Sequence, residues 1–257
     1  MNNMTIEQLQ ARHSTRNFRP LPIPGSLVES LKAELTMINS HEAGLQFKLV
    51  TGNSEPLKGF SKSYGFFRNA NNFIVAIVDV SFPDAIERAG YFAEQIVLKA
   101  TDIGLATCFV GGTYSKTSIP VPLRAGQEVL FLILVGQEDI IEKPRPLARI
   151  AMKIAHRNDK KWEDFFVERK DWTLKAALER FPFLKKGLQA LACAPSSLNK
   201  QPFRIWIGQK EEKDIVRIGI PDISDKQFID LGIAKCNFVA ANGGYFDWGN
   251  GAAYYQE

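Results

Sequence analysis

Residues 194–203 read APSSLNKQPF, and two prolines fix the backbone at both ends of this stretch. Between the prolines stand short side chains that both donate and accept hydrogen bonds, namely Ser196, Ser197, Asn199 and Gln201. A rigid loop with this density of polar groups suits a hydroxyl-rich ligand that carries a planar heteroaromatic ring. The alternative is an ordinary turn, because Pro, Ser and Asn are common in turns.

Around this loop the hydrophobic pattern alternates between helical and extended periodicity. Predicted helices are Ser26–Leu35, Asp84–Ile103, Thr173–Ala192 (bent at Pro182) and Gln227–Ala241. Predicted strands are Gln46–Thr51, Asn72–Val80, Glu128–Val135, Phe203–Gly208 and Ile215–Ile220. The basic stretch Glu142–Lys161 is interpreted as a connector. These elements predict an α+β fold.

Composition excludes several classes of protein. The 257 residues include 32 basic and 28 acidic ones, an excess too small to indicate nucleic-acid binding, although a local anion site fits it. Cys108, Cys193 and Cys236 match no metal motif and form no disulfide framework, so we expect a reduced cytoplasmic protein without metal. The first residues lack the apolar core of a signal peptide. The longest apolar run, Val129–Val135, is shorter than the ~20 residues of a membrane span.

Two pairs of segments indicate an internal duplication. Phe47–Gly52 is similar to Phe203–Gly208, and Ile86–Ala100 is similar to Phe228–Asn242, with the strand before the helix in both copies. We therefore predict two repeats, at residues 1–150 and 151–257, the second lacking a loop near Leu57–Phe67. The alternative is two unrelated α+β segments that share common packing patterns.

Two further strings carry groups suited to a ligand. Residues 12–18, RHSTRNF, offer two guanidinium groups and a hydroxyl to one anion, although a solvated basic turn is the simpler explanation of these residues alone. Residues 102–112, DIGLATCFVGG, end a buried helix at Gly104 and finish in a double glycine. Glycines let a ligand approach the backbone closely, while a helix cap and a tight turn would explain them equally.

Together, the three strings resemble the signatures of the FMN-dependent nitroreductase family. Arg12–Phe18 is similar to its Arg-Arg-Ser-x-Arg-x-Phe opening, with His13 in the second place, and Gly104–Gly112 and Ala194–Pro202 are similar to its glycine motif and its Pro-Ser loop. Here, however, the Pro-Ser loop follows both other motifs. That order resembles a subfamily in which two repeats are fused, so that one chain mimics the family homodimer. The resemblance implies a nitroreductase-like fold with mixed or antiparallel sheets and central buried helices.

The resemblance also implies the cofactor site. Copy one would supply Arg12, Ser14 and Arg16 to the phosphate and the pyrimidine edge of FMN, while His13 either contacts the ribityl phosphate or merely packs. The other residues implied are Val110, Gly111 and Gly112 near the reactive edge, Arg157 and Lys160 as phosphate anchors or a solvated turn, and Pro195, Ser196, Ser197, Asn199 and Gln201 from copy two. The mirror-image site lacks both prolines and the asparagine, so we expect one FMN per chain.

The implied reaction is hydride transfer from NAD(P)H to flavin N5, then ping-pong reduction of a small acceptor such as a nitroaromatic, a quinone or a free flavin. The flavin would carry the chemistry, so no protein residue is predicted to be catalytic. One alternative is a protein that stores or senses FMN without turnover. Others are the same fold without cofactor, and a different reaction such as dehalogenation or flavin fragmentation. We expect a monomer without nucleic-acid or membrane partners, and a Cys108 thiol that packs and does not react.

Overall fold

The computed structural model describes residues 3–58, 65–140, 146–156, 159–169, 171–221, 223–224 and 227–256. Its helices are α1 Ile6–Ala11, α2 Gly25–His41, α3 Ala85–Asp102, α4 Pro146–His156, α5 Leu174–Arg180, α6 Phe183–Cys193 and α7 Gln227–Asn242. Its strands are β1 Leu45–Val50, β2 Phe73–Asp79, β3 Ala106–Val110, β4 Gln127–Gly136, β5 Arg204–Lys210, β6 Lys213–Gly219, β7 Tyr245–Phe246 and β8 Ala252–Tyr255. No helix among these residues has the length and apolar character needed to cross a membrane.

The chain forms two compact units. The first unit comprises Ala11–Ala85 and Gln95–Ile154, and the second comprises Met1–Gln10, Ile86–Glu94 and Ala155–Glu257. The second unit is therefore assembled from three separate parts of the chain. The predicted division into repeats at residue 150 stays a prediction.

Each unit contains one four-stranded sheet, and the two sheets share one topology. The strand order is β1-β2-β4-β3 in the first unit and β5-β6-β8-β7 in the second, with every pair antiparallel. In both, a long helix (α3 or α7) precedes the third strand. This arrangement of helices and antiparallel sheets gives the α+β fold that the sequence predicted, and the internal duplication stays a prediction.

The connection between the first two strands differs between the sheets. Residues 51–72 join β1 to β2, whereas Glu211 and Glu212 alone join β5 to β6. Both glutamates have positive φ, 50° and 61°, as the tightest hairpin turns require. The predicted extra loop of copy one, Leu57–Phe67, belongs to this connection, but its residues 59–64 lie outside the described residues, so the prediction stays open.

Two predicted elements need correction. The stretch Glu142–Lys161 is not simply a connector, because it contains α4, which begins at Pro146, the residue type that suits a first helical position. The predicted helix Thr173–Ala192 is two helices separated at Phe181 and Pro182. The first of these is capped by the Thr173 hydroxyl, which accepts a hydrogen bond from the Ala176 amide at 3.2 Å.

In the second unit, residues 86–94 of α3 pack closely against α7 through two glycines. A Cβ atom on Gly90 would lie 2.2 Å from the Ile229 carbonyl oxygen, and one on Gly232 would lie 2.0 Å from the Glu87 carbonyl oxygen. The two contacts are reciprocal, since Ile229 precedes Gly232 by the same number of residues as Glu87 precedes Gly90. Only glycine permits backbones to approach this closely.

A buried ion pair lies beside this helix contact. Lys235 on α7 and Glu87 on α3 are both almost fully buried, and the ammonium group donates a hydrogen bond to the Glu87 carboxylate. Lys235 Nζ also donates to the carbonyl oxygens of Asp247 at 2.8 Å and Gly249 at 3.0 Å. The Gly249 amide in turn donates to Glu87 Oε2 at 2.7 Å. These bonds satisfy both charges, as burial of an ion pair requires.

Candidate functional site

The arginine segment, residues 12–18, lies in the first unit beside β3. The Thr15 amide donates to the Thr107 carbonyl at 2.9 Å, and Ser14 pairs with Thr107 as a parallel bridge. Further along, the Phe18 amide donates to the Arg68 carbonyl at 3.0 Å, and the Phe18 ring is buried. Because the segment is extended, successive side chains point to opposite sides.

Arg12, Ser14 and Arg16 share one side of the arginine segment. All three lower the pKa of the Cys108 thiol on β3, the two arginines through their positive charge and Ser14 through a hydrogen bond. Burial is nevertheless the larger effect, so the pKa of Cys108 is raised overall. Cys108 is 5% exposed, which confirms that it packs and is poorly suited to react. The predicted anion-binding trio is thus brought together around this thiol.

His13 faces the opposite side of the same segment. Its Nε2 lies 2.9 Å and 3.0 Å from the two carboxylate oxygens of Glu138, and its Nδ1 lies 3.2 Å from the Ala11 carbonyl oxygen. The Thr15 hydroxyl also donates to Glu138, at 3.2 Å. Glu138, which follows β4, therefore fixes the segment from behind. Glu138 was not predicted from the sequence. The alternation of side chains along an extended segment does, however, place His13 on the side opposite Arg12 and Arg16.

The double glycine that follows β3 adjoins open space. A Cβ atom built on Gly111 or on Gly112 would meet no atom of the described part of the chain within 4 Å, and both residues are exposed. Neither packing nor backbone conformation therefore demands glycine at these positions, whereas a ligand close to the backbone would. Val110 differs, because its side chain is 3% exposed and packs in the core of the first unit with Phe73 and Leu132. The Val110 side chain is therefore a core residue of the first unit.

The Pro-Ser loop, residues 194–202, lies in the second unit between α6 and β5. Leu198, Asn199 and Gln201 have φ values of 52°, 53° and 44°, in the left-handed region that residues other than glycine seldom adopt. Each such residue costs about 1–3 kcal/mol, and such conformations concentrate at functional sites. The surrounding structure must therefore hold this loop in place.

Gln201 organises the loop from inside. Its amide donates to the Ser196 hydroxyl at 2.8 Å, and its side-chain Nε2 donates to the carbonyl oxygens of Ala192 at 3.0 Å and Ala194 at 3.2 Å. The residue is 2% exposed. Its Oε1 is buried and accepts no hydrogen bond from the residues that the structure describes, which leaves one acceptor for a ligand or water. Pro195 and Ser196 are half-buried, and Ser197 is exposed.

Three side chains outside the loop hold it. Lys160 Nζ donates to the carbonyl oxygens of Lys200 and Gln201, both at 2.6 Å. Asn199 Nδ2 donates to Asp159 Oδ1 at 2.8 Å, and the Ser197 amide donates to Asp230 Oδ1 at 3.2 Å.

Lys160 thus contacts the backbone of the Pro-Ser loop, whereas the sequence predicted that it anchors the FMN phosphate or belongs to a solvated turn. Burial and the neighbouring Arg204 guanidinium lower the pKa of the Lys160 ammonium, and Asp164 raises it. Arg204 also donates to the Gln201 carbonyl, at 3.0 Å. Arg157, the other predicted anchor, lies outside the described residues. The contacts of Arg204 and Asp159 with the loop were not predicted, because they are set by the fold.

Comparison with known proteins identifies the family. The model of the family described as "Putative TM nitroreductase" matches residues 4–242. The crystal structure of a "putative nitroreductase" from Thermotoga maritima is 19% identical, with 99% of this chain and 94% of that chain covered and a TM-score of 0.58, so the two share a fold.

Other solved structures match only part of the chain. A nitroreductase with bound FMN from Desulfitobacterium hafniense is 18% identical, with 56% of this chain and 94% of that chain covered and a TM-score of 0.45. An FMN-dependent nitroreductase from Clostridium difficile is 21% identical, with 58% and 96% covered and a TM-score of 0.44. A comparison with curated proteins gave no match. Because the family model spans nearly the whole sequence, the chain belongs to this nitroreductase family.

Proposed function

We propose that this protein binds one FMN per chain and is an oxidoreductase that reduces small acceptors with electrons from NAD(P)H. The observation that carries the proposal is the Pro-Ser loop, whose three left-handed residues are held by side chains on other elements. Energy stored in such a loop is explained by a ligand that requires its shape. Membership of the nitroreductase family supports an oxidoreductase.

The polar and charged groups of these segments are of the chemical types that bind FMN. Arg12 and Arg16 supply the positive charge that a phosphate or an electron-rich ring edge needs. The Gln201 Oε1 atom, which has no donor among the described residues, is able to accept a hydrogen bond from a hydroxyl or a ring N–H group of the flavin. The open backbone at Gly111 and Gly112 leaves room for a flat ring. The resemblance in sequence is what assigns these groups to FMN, and the residues proposed from it are Arg12, Ser14, Arg16, Gly111, Gly112, Pro195, Ser196, Ser197, Asn199 and Gln201.

When bound, FMN supplies hydride transfer at its N5 atom. The chain's own residues bind and orient it. Glu138 keeps His13 and Thr15 on the rear side of the arginine segment, so that the two guanidinium groups stay on the other side. Lys160 donates hydrogen bonds to two loop carbonyl oxygens and so fixes the loop backbone. Candidate acceptors are nitroaromatics, quinones and free flavins.

The first test is the flavin content of the purified protein. We expect denaturation to release FMN at about one molecule per chain, identified by chromatography and absorbance, and sedimentation to show a monomer. Two FMN per chain would contradict the single site, and no flavin after incubation with FMN would contradict the proposed function. Steady oxidation of NAD(P)H with an added quinone separates an oxidoreductase from a protein that only stores FMN.

A second test concerns Lys160. We expect Lys160→Met to weaken the binding of both FMN and riboflavin by about tenfold, because a charge-assisted hydrogen bond contributes about 1.5–3 kcal/mol. A lysine that contacts the phosphate would instead matter for FMN and not for riboflavin. Fluorescence titration with both flavins measures the difference. Lys175→Met, at an exposed lysine of α5, removes the same charge from the same unit, and equal losses from both variants would refute the role in the loop.

A further inference from the structure

Asp230 is a buried acid that no sequence pattern connected with the Pro-Ser loop. It stands in the first turn of α7, is 7% exposed, and is followed by the fully buried Leu231. Its Oδ1 accepts the 3.2 Å hydrogen bond from the Ser197 amide. Ser197 directly precedes the left-handed Leu198 and Asn199, so this bond fixes the backbone where the unusual conformation begins.

The ionised form of Asp230 is unfavourable for folding. Burial raises the pKa of Asp230 to about 6, while the Ser197 amide and the positive charge of Lys200 lower it. An acid whose folded-state pKa is raised contributes stability below its unfolded pKa, and that stability is lost as the pH rises through the folded pKa. For Asp230 the loss runs from about pH 4 to about pH 6. An asparagine would keep an oxygen acceptor for Ser197 without this loss.

We propose that Asp230 is a positioning residue for FMN, which fixes the Ser197 amide and hence the shape of the Pro-Ser loop at the expense of fold stability. The inference rests on the proposed function. A carboxylate holds an amide about twice as strongly as a neutral acceptor does. FMN affinity therefore falls, and the stability of the FMN-free protein rises, as the pH decreases through about 6.

The test compares wild type with Asp230→Asn by fluorescence titration of FMN from pH 5 to pH 8. We expect Asp230→Asn to bind FMN about tenfold more weakly at pH 8 and to approach wild type at pH 5. The FMN phosphate also titrates near pH 6, but it affects both proteins equally. The ratio of the two dissociation constants therefore isolates Asp230.

Thermal unfolding of the FMN-free proteins provides a second measurement. If Asp230 only stabilised the fold, Asp230→Asn would have a lower thermal midpoint than wild type. We expect Asp230→Asn to have the higher thermal midpoint at pH 8, with the difference shrinking at pH 5. Glu94→Gln is the matched control, because Glu94 is a fully buried acid of the same unit that accepts a hydrogen bond from Asn237 at 2.9 Å. This control should bind FMN as wild type does.

The outcomes are separable. Wild type that binds FMN, with Asp230→Asn equally tight at pH 8, overturns this inference and leaves the proposed function intact. A lower thermal midpoint for Asp230→Asn at pH 8, or an equal loss of FMN affinity in Glu94→Gln, also overturns it. Wild type that binds no FMN at any pH overturns the proposed function and this inference with it.

Discussion

Replacing Gly232 with alanine is expected to lower the free energy of unfolding by roughly 3 kcal/mol, since overpacking usually costs 1–3 kcal/mol and more where nothing can yield. The new Cβ would lie 2.0 Å from the Glu87 carbonyl oxygen and 2.7 Å from the Tyr91 amide nitrogen. Both obstacles are backbone atoms of α3, so no side-chain rotation relieves the clash. The higher helix propensity of alanine recovers only about 1 kcal/mol. Urea denaturation followed by circular dichroism measures the change.

Gly25 provides the matched control for this substitution. It is the first residue of α2, and a Cβ atom there would meet nothing within 4 Å. Gly25→Ala should therefore leave the stability unchanged or raise it by up to about 1 kcal/mol. If Gly232→Ala were as stable as wild type, the close approach of residues 86–94 to α7 would be wrong.

The second large effect is expected at the buried ion pair. Lys235→Met should lower the free energy of unfolding by about 3–5 kcal/mol, because it leaves the Glu87 carboxylate buried without its counter-ion. It also removes the donor to the Asp247 and Gly249 carbonyl oxygens. Chemical denaturation at neutral pH, with the slope checked against wild type, measures this loss.

The double variant Lys235→Met with Glu87→Gln is the control. Removing both charges should be less damaging than the sum of the two single changes, because no uncompensated charge stays buried. Additive effects would mean that the two side chains do not interact. The exposed pair Lys32 and Glu29 of α2 offers a contrast, and its disruption should change the stability by less than about 1 kcal/mol.

The sequence predicted β1, β2, β4, β5 and β6 and the helices α2, α3 and α7 from their apolar periodicity. It missed β7 and β8, which are too short, at two and four residues, to show a clear alternation. It missed α4 because that helix lies in a basic stretch with two prolines, where charge obscures the periodic apolar positions. It placed one helix where Pro182 separates two. Proline removes a backbone donor in both a kinked and a broken helix, so the pattern does not distinguish them.

Of the candidate site, the sequence indicated the groups proposed to contact FMN better than the side chains that hold those groups in place. The arginines, serines and glycines of the candidate site stand close together in short stretches of sequence, so each stretch can be recognised by itself. Asp230, in contrast, meets Ser197 across 33 residues of chain, and Glu138 meets His13 across 125. Such partners are chosen by the fold, and the sequence of either segment carries no sign of the other. Lys160 shows the same limit, since the sequence predicted a phosphate anchor and gave no sign of its hydrogen bonds to the Lys200 and Gln201 carbonyl oxygens.

The three-part composition of the second unit sets an order of events during synthesis. Every residue of the first unit precedes residue 155, so that unit can form while the remainder of the chain is still being made. Residues 86–94 leave the ribosome early but find their partners on α7 only after residues 227–242 have been made. Until then Glu87 is without Lys235, and Gly90 has no helix to meet. A pause or truncation before α7 would therefore expose the face of residues 86–94 that packs against it.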